Sequence, residues 1–230
     1  MLSRRSPADG VLQLHLERPG RLNALTLELV RELLQAVHHA HEEPGVRVIL
    51  LSGEGRAFCA GKDKDDPPTP EFVDALQHLA RVLMDSRKPV VAAVQGWAVG
   101  AGFEMLMNCD IVVAADDARF MLPETNIGLF GTGGVVALLP RVVGLARAKG
   151  LLMLGREISA QQAGDWGLVW QVVPRAELEG AALDVAKQLA GADPRLLSQL
   201  KSLLHEEAVG DLASILKREA QAHVALNSKR

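Results

Sequence analysis

Glu104 and Glu124 stand twenty residues apart, each beside a glycine or proline turn. Two carboxyls in one apolar pocket can hold different protonation states, so that one serves as base and the other as acid. Glu104 has Phe103, Met105 and Leu106 as neighbours, in the first turn of a short, nearly all-apolar helix read from Ala101 to Asn108. A charge in such company is costly without a partner or a task. Taken alone, Glu104 also reads as an acidic first-turn residue that complements the helix dipole. Gly100 and Gly102 flank Ala101, and glycine lets another group approach the chain closely. The first N–H groups of a helix have no partner inside it and carry the positive end of its dipole. A strand that runs through a glycine turn into such a helix start makes a site for developing negative charge. A second turn, Arg56-Ala-Phe-Cys-Ala-Gly-Lys-Asp, contains Lys62. N–H donors from two separate loops are what an oxyanion hole needs, and losing one costs about 3–4 kcal/mol. Spacing alone does not bring these three pieces together in space.

The elements that would position them alternate between strand and helix. Val11 to Leu16 alternates as a strand, and residues 26 to 41 have helical spacing with Thr26 as N-cap. Val46 to Leu51 and Val90 to Val94 are apolar runs of the kind buried on both faces in a parallel sheet. Between them, Thr69 caps and Pro70 starts a helix to about Asp85. Ile111 to Ala115 is a further strand, and Arg119 to Glu124 a short extended piece. Residues 135 to 155 read as two helices divided near Gly144, Ser159 starts another, and Leu168 to Val173 is a last strand. Three helices follow, from 176, from Asp193-Pro194 and from Asp211. The alternation predicts an α/β fold with a mainly parallel sheet. Its parts are a core over 1–174 that carries the site and a helical region over 175–230 for packing and oligomerisation. The trailing helices have no strands of their own to cover, so they are expected against the core or another subunit.

The totals narrow the function. A net charge of −3 gives no reason to expect a nucleic-acid or membrane-surface partner. The first residues lack the apolar stretch of a secretory signal, and no run approaches the roughly 20 apolar residues of a membrane span. Two cysteines, Cys59 and Cys109, make neither a disulfide framework nor a zinc spacing, so a reducing cytoplasm is the expected location.

Arg56 to Asp63, Pro89 to Asp110 and Phe120 to Gly134 resemble the crotonase superfamily, the enoyl-CoA hydratase/isomerase proteins. Arg18-Pro-Gly-Arg-Leu-Asn-Ala-Leu and Ile158 to Pro174 share the likeness, which covers nearly the whole chain. The resemblance implies a crotonase-like spiral of ββα units with a C-terminal helical region, and trimers often paired into hexamers. It implies a CoA thioester substrate, no metal, and no cofactor beyond the coenzyme A of the substrate. By position it places the oxyanion donors at the backbone N–H groups of Lys62 and Ala101 and the acid/base pair at Glu104 and Glu124. It places CoA contacts at Arg21, Leu22, Ala24, Ala60, Lys62, Asp63 and Lys64. Having both glutamates favours hydration of a 2-enoyl-CoA. The segment Gly131-Thr132-Gly133-Gly134 departs from the hydratase pattern, because Thr132 falls where a glycine N–H helps to place the water. The wording around it, Ala115-Asp-Asp-Ala-Arg-Phe-Met-Leu-Pro, is closer to an isomerase-like branch. A Δ3,Δ2-enoyl-CoA isomerase or another acyl-CoA isomerase or lyase is therefore the alternative. A catalytically inactive CoA-binding scaffold is the alternative of another class.

Other polar residues read more simply. His38 and His41 are expected on a helix surface, Cys59 as a small buried residue, and Asp63, Asp65 and Asp66 in a solvated loop rather than around a cation. Lys217, Arg218, Lys229 and Arg230 are expected as a solvated end.

Overall fold

The computed structural model describes residues 1–66 and 69–227. Pro67, Pro68, Lys229 and Arg230 lie outside them, so the expectation for the last two concerns residues that are not described. The chain opens with β1 (Leu2–Ala8), β2 (Val11–Leu16) and α1 (Leu27–Glu42). Three units then repeat one plan: β3 (Val48–Gly53), β4 (Ala57–Cys59) and α2 (Pro70–Met84); β5 (Val90–Val94), β6 (Trp97–Val99) and α3 (Ala101–Met107); β7 (Ile111–Ala115), β8 (Arg119–Met121) and α4 (Val135–Val143). The first strand of each unit extends a large sheet whose first five strands are ordered β1-β2-β3-β5-β7, and the second extends a smaller sheet whose first three are ordered β4-β6-β8. This is the ββα spiral. After α5 (Leu145–Leu154), β9 (Ile158–Ser159) closes the small sheet antiparallel to β8. After α6 (Ala160–Asp165), β10 (Gln171–Val173) closes the large sheet parallel to β7. The chain ends in α7 (Leu178–Gly191), α8 (Pro194–Val209) and α9 (Leu212–Asn227).

Local chemistry sets the boundaries. The Thr26 hydroxyl accepts the Leu29 N–H at 3.2 Å and starts α1. Ser159 and Gln162 form a reciprocal capping box on α6. Thr69 occupies the cap position of α2 but makes no capping bond there. Every residue of β3 and β5 is buried, because helices cover both faces of the large sheet. On one face lie α1 and α2. On the other, Leu178, Ala182, Ala186 and Ala190 of α7 pack on Val48, Leu50, Val91, Ala93 and Val113. The trailing helices are thus not alike: α7 does have strands to cover, which the order of elements alone did not reveal. The last strand is shorter than Leu168 to Val173, and Arg119 to Glu124 divides into β8 and a 3-10 turn over Glu124–Ile127. No described helix is long and apolar enough to cross a membrane.

Gly102, in the first turn of α3, is seated on β4. A Cβ there would meet the Cys59 carbonyl oxygen and come within 2.8 Å of the Cys59 Cβ and Sγ. In an exposed helix Gly→Ala stabilises by about 0.5–1 kcal/mol. Here Gly102→Ala should destabilise by about 1–3 kcal/mol, read as a lower urea midpoint, because it overpacks this contact. A raised midpoint would show that α3 is not seated on β4.

Candidate active site

The two turns singled out by their glycines meet. Gly61 has φ +88°, and a Cβ on it would lie 2.7 Å from the Val99 carbonyl oxygen and 3.6 Å from the Ala101 nitrogen. Both the left-handed backbone and the close approach call for glycine. Leu25 forms a parallel bridge with Lys62: the Leu25 N–H donates to Gly61 O at 2.7 Å and the Asp63 N–H to Leu25 O at 2.8 Å. The bridge uses groups on either side of Lys62 and leaves the Lys62 N–H out of it. Ala101 is the first residue of α3, so its N–H has no acceptor within the helix. Among the described residues neither N–H donates to a protein carbonyl. The Lys62 side chain is occupied elsewhere. Its Nζ donates to the Asp63 and Asp66 carbonyls and lies 5.1 Å from the centre of the Phe72 ring.

The other residues assigned to CoA surround these turns. Ala60 N–H donates to Leu22 O at 2.9 Å, which ties the segment with Arg21, Leu22 and Ala24 to the one with Ala60 to Lys64. Leu22 and Asn23 both have positive φ, and buried Asn23 holds that bend through its side chain to Arg18 N–H, Glu54 O and Ala57 O. Asp63 is buried and its carboxylate is committed to structure. It accepts the Asp65 N–H at 3.0 Å and the Arg18 guanidinium at 2.9 Å, and the two contacts hold its pKa below the ordinary value. Asp65 pairs with Arg21. These acids are spent on an amide and on arginines. Asp65 and Lys64 are exposed, as a solvated loop requires, but Asp63 is not solvated: the Arg18 guanidinium and the Asp65 N–H take the place of water around its carboxylate.

Glu104 and Glu124 come together at this place. β8 runs parallel to β6, with Met121 opposite Val99 and the Gly100 N–H donating to Met121 O at 2.9 Å. That register brings Glu124 against Gly100: a Cβ on Gly100, whose φ is +51°, would lie 2.7 Å from Glu124 Oε1. The Phe103 and Phe120 rings, 5.6 Å apart, pack α3 on the same strand. Glu104 is 2 % exposed. The 131–134 loop lies directly on its carboxyl, since a Cβ on Gly131 would fall 2.5 Å from Glu104 Oε1 and one on Gly133 2.9 Å from Glu104 Cβ. Glu104 Oε1 and Glu124 Oε2 are buried and have no protein hydrogen-bond partner. Burial raises the Glu104 pKa well above its ordinary value, helped by the charges of Glu124 and Glu219 and opposed by the Gly133 and Thr132 amides. Burial raises Glu124 as well. Such a pair binds a proton where an exposed pair would have lost both, and its titration belongs to the pair.

Several residues that shape this site gave little sign in the sequence. Asn108 Nδ2 donates to Glu104 O at 2.7 Å and Gly133 O at 3.0 Å, and Gln77 Nε2 to Thr132 O at 3.0 Å. Asn108 was signalled only as a polar end to an apolar helix. Glu219 follows Lys217 and Arg218, which read as part of a solvated end. Cys59 is fully buried beneath α3, and burial pushes its thiol up to about 12, consistent with a packing role. His38 and His39 are exposed, and His41 bonds the Ser86 hydroxyl at 2.7 Å.

Known proteins resemble this chain in sequence and in fold. The sequence pattern of the Enoyl-CoA hydratase/isomerase family matches residues 7–230. The chain is 37% identical over 220 residues to 1,2-epoxyphenylacetyl-CoA isomerase of Escherichia coli (strain K12), spanning 91% of this chain and 84% of that protein. It is 35% identical over 221 residues to 2,3-dehydroadipyl-CoA hydratase of the same organism, spanning 94% and 86%. The crystal structure of an enoyl-CoA hydratase from Mycobacterium avium subsp. paratuberculosis K-10 superimposes with a TM-score of 0.93 at 32% identity, covering 98% of this chain and 93% of that one.

The buried carboxyl has a consequence for stability. Glu104 titrates near 4.5 in an unfolded chain and above that when folded. Over the interval between, the folded state binds more protons, so stability falls as pH rises through it. Glu104→Gln should therefore raise Tm at pH 8, by about 2–4 °C for each kcal/mol recovered. The gain should fade as pH is lowered towards 4.5. A gain independent of pH in thermal scans would mean that Glu104 does not titrate as a buried acid.

Proposed function

The chain belongs to the enoyl-CoA hydratase/isomerase family, the crotonase superfamily, and we propose that its reaction is the addition of water to a 2-enoyl-CoA, giving a 3-hydroxyacyl-CoA. One observation carries the reading: the carboxyls of buried Glu104 and half-buried Glu124, both with raised pKa values, lie beside two uncommitted backbone N–H groups. In this reading the thioester oxygen accepts from the Lys62 and Ala101 N–H groups. Oxygen from water bonds to Cβ, the double-bond electrons move toward the thioester, and the oxygen becomes an enolate that those donors stabilise. The carbonyl re-forms as Cα takes a proton. The glutamate pair gives one proton to Cα and receives one from the water, so it ends as it began. The addition is redox-neutral and calls for no cofactor beyond the substrate's own coenzyme A. Arg21, Leu22, Ala24, Ala60, Lys62, Asp63 and Lys64 line the CoA side. For Asp63 the contact would be through its backbone, since its carboxylate is already bonded. The same reading takes the protein as a homotrimer or a dimer of trimers. The outward apolar row Leu196, Leu200, Leu203 and Leu204 on α8 supports burial against another copy.

Thr132 favours a second reading. It is buried in the loop that touches Glu104, where the hydratase pattern has glycine, and one of the similar proteins is an isomerase. In an isomerase, Glu124 would move a proton between two carbons and Glu104 would only polarise.

Glu124→Gln should lower turnover of a 2-enoyl-CoA by about 10²-fold or more, with products read by mass. Glu104→Gln separates the readings: hydration should fall strongly, whereas isomerisation of a 3-enoyl-CoA would keep much of its rate. If neither substitution changes turnover, the pair is not catalytic.

Lys62 offers a sharper test of the donors. Lys62→Ala should keep most of kcat, any loss appearing in KM as uniform binding. Lys62→Pro removes the N–H itself and should cost about 10²-fold or more, with circular dichroism confirming the fold. A large kcat loss in Lys62→Ala would place the ammonium in the chemistry.

A further inference from the structure

Glu219 is a third buried carboxyl near the site, contributed by the C-terminal helix α9. It is 3 % exposed. Its Oε2 accepts the Gly134 N–H at 2.7 Å and its Oε1 the Val136 N–H at 3.0 Å. These are amides at the start of α4, whose own N-cap, Gly134, has no side chain to offer. A carboxylate from another helix therefore does the capping.

The same stretch of backbone faces two carboxyls. The amides of Thr132 and Gly133 act on Glu104, and those of Gly134 and Val136 bond Glu219. α9 holds the stretch at two further points. Gln77 Nε2 bridges Thr132 O and Leu216 O, at 3.0 and 2.7 Å, and the His223 ring lies 3.2 Å from Phe130 O. Shifting α9 would therefore shift the loop that lies on Glu104.

We propose that Glu219 is a positioning residue for Glu104, acting through the 131–134 loop. Its carboxylate fixes which amides face Glu104 and puts a negative charge behind that loop. The inference rests on the reading of Glu104 as an acid/base group.

Charge supports the geometry. Burial raises Glu219 to about 7 against the pull of its two amides, and its charge is one of the causes that raise Glu104, after burial and Glu124. The titratable groups facing this loop are Glu104 from α3, Glu124 beyond it, and Glu219 and His223 from α9. Gln77 from α2 is neutral, and Lys217 and Arg218 are exposed. Among the described residues no cation pairs with Glu219.

Glu219→Gln in the full chain is the test, since it keeps the shape while removing the charge and one of the two acceptors. Carbon-13 carboxyl NMR would follow the Glu104 titration, and kcat and KM would be measured on a 2-enoyl-CoA. The expected result is a lower Glu104 midpoint, with kcat reduced about 10- to 100-fold, the scale of a misplaced catalytic group, and KM nearly unchanged. An unchanged Glu104 midpoint and kcat, with only Tm altered, would overturn the proposal and leave Glu219 as a helix cap. If the parent protein does not hydrate the substrate, the hydratase reading fails by itself. The Glu104 midpoint then decides this proposal alone.

Discussion

Two carboxyl groups in one largely buried site repel when both are ionised, and much of the structure serves to keep them there. Each unit of raised pKa represents about 1.4 kcal/mol of preference for the neutral form. The fold meets that cost with packing. α3 is apolar over nearly its whole surface, is seated on Cys59 and is tied to β8 through Phe103 and Phe120. Asn108 ties it to the glycine loop. The close approaches need residues without side chains at 61, 100, 131 and 133, where a Cβ would strike a carbonyl or one of the two glutamates.

The spiral explains how distant segments arrive at one place. β4, β6 and β8 are three residues each and lie side by side in the small sheet. Their ends deliver the Lys62 turn, the Ala101 helix start and Glu124. The large sheet provides the rigid base, and its buried strands carry no chemistry of their own.

Much of this was legible in the sequence. Long apolar runs such as Val90 to Val94 and Ile111 to Ala115 match their strands, and Thr26 and Ser159 match their caps. β4, β6 and β9 were not legible, because two or three residues carry no periodicity. β1, with exposed Arg4, Arg5 and Ser6, has no apolar alternation to read. At the site, glycine spacing and the two glutamates drew attention to the right turns. Their meeting came only from the register of β6 on β8 and the bridge of Leu25 to Lys62. Glu219 was not legible at all, since its partners lie more than eighty residues away on another helix.

The proposed hydration turns on the protonation of the pair, and infrared titration of carboxyl bands measures it directly. Glu104 and Glu124 would be replaced by Gln one at a time to assign the bands. The expected result for the parent protein is a neutral carboxyl band that persists to higher pH than that of an exposed glutamate and disappears in Glu104→Gln. Ionisation of both groups at the pH of exposed glutamates would contradict the claim that burial and mutual repulsion hold a proton on the pair.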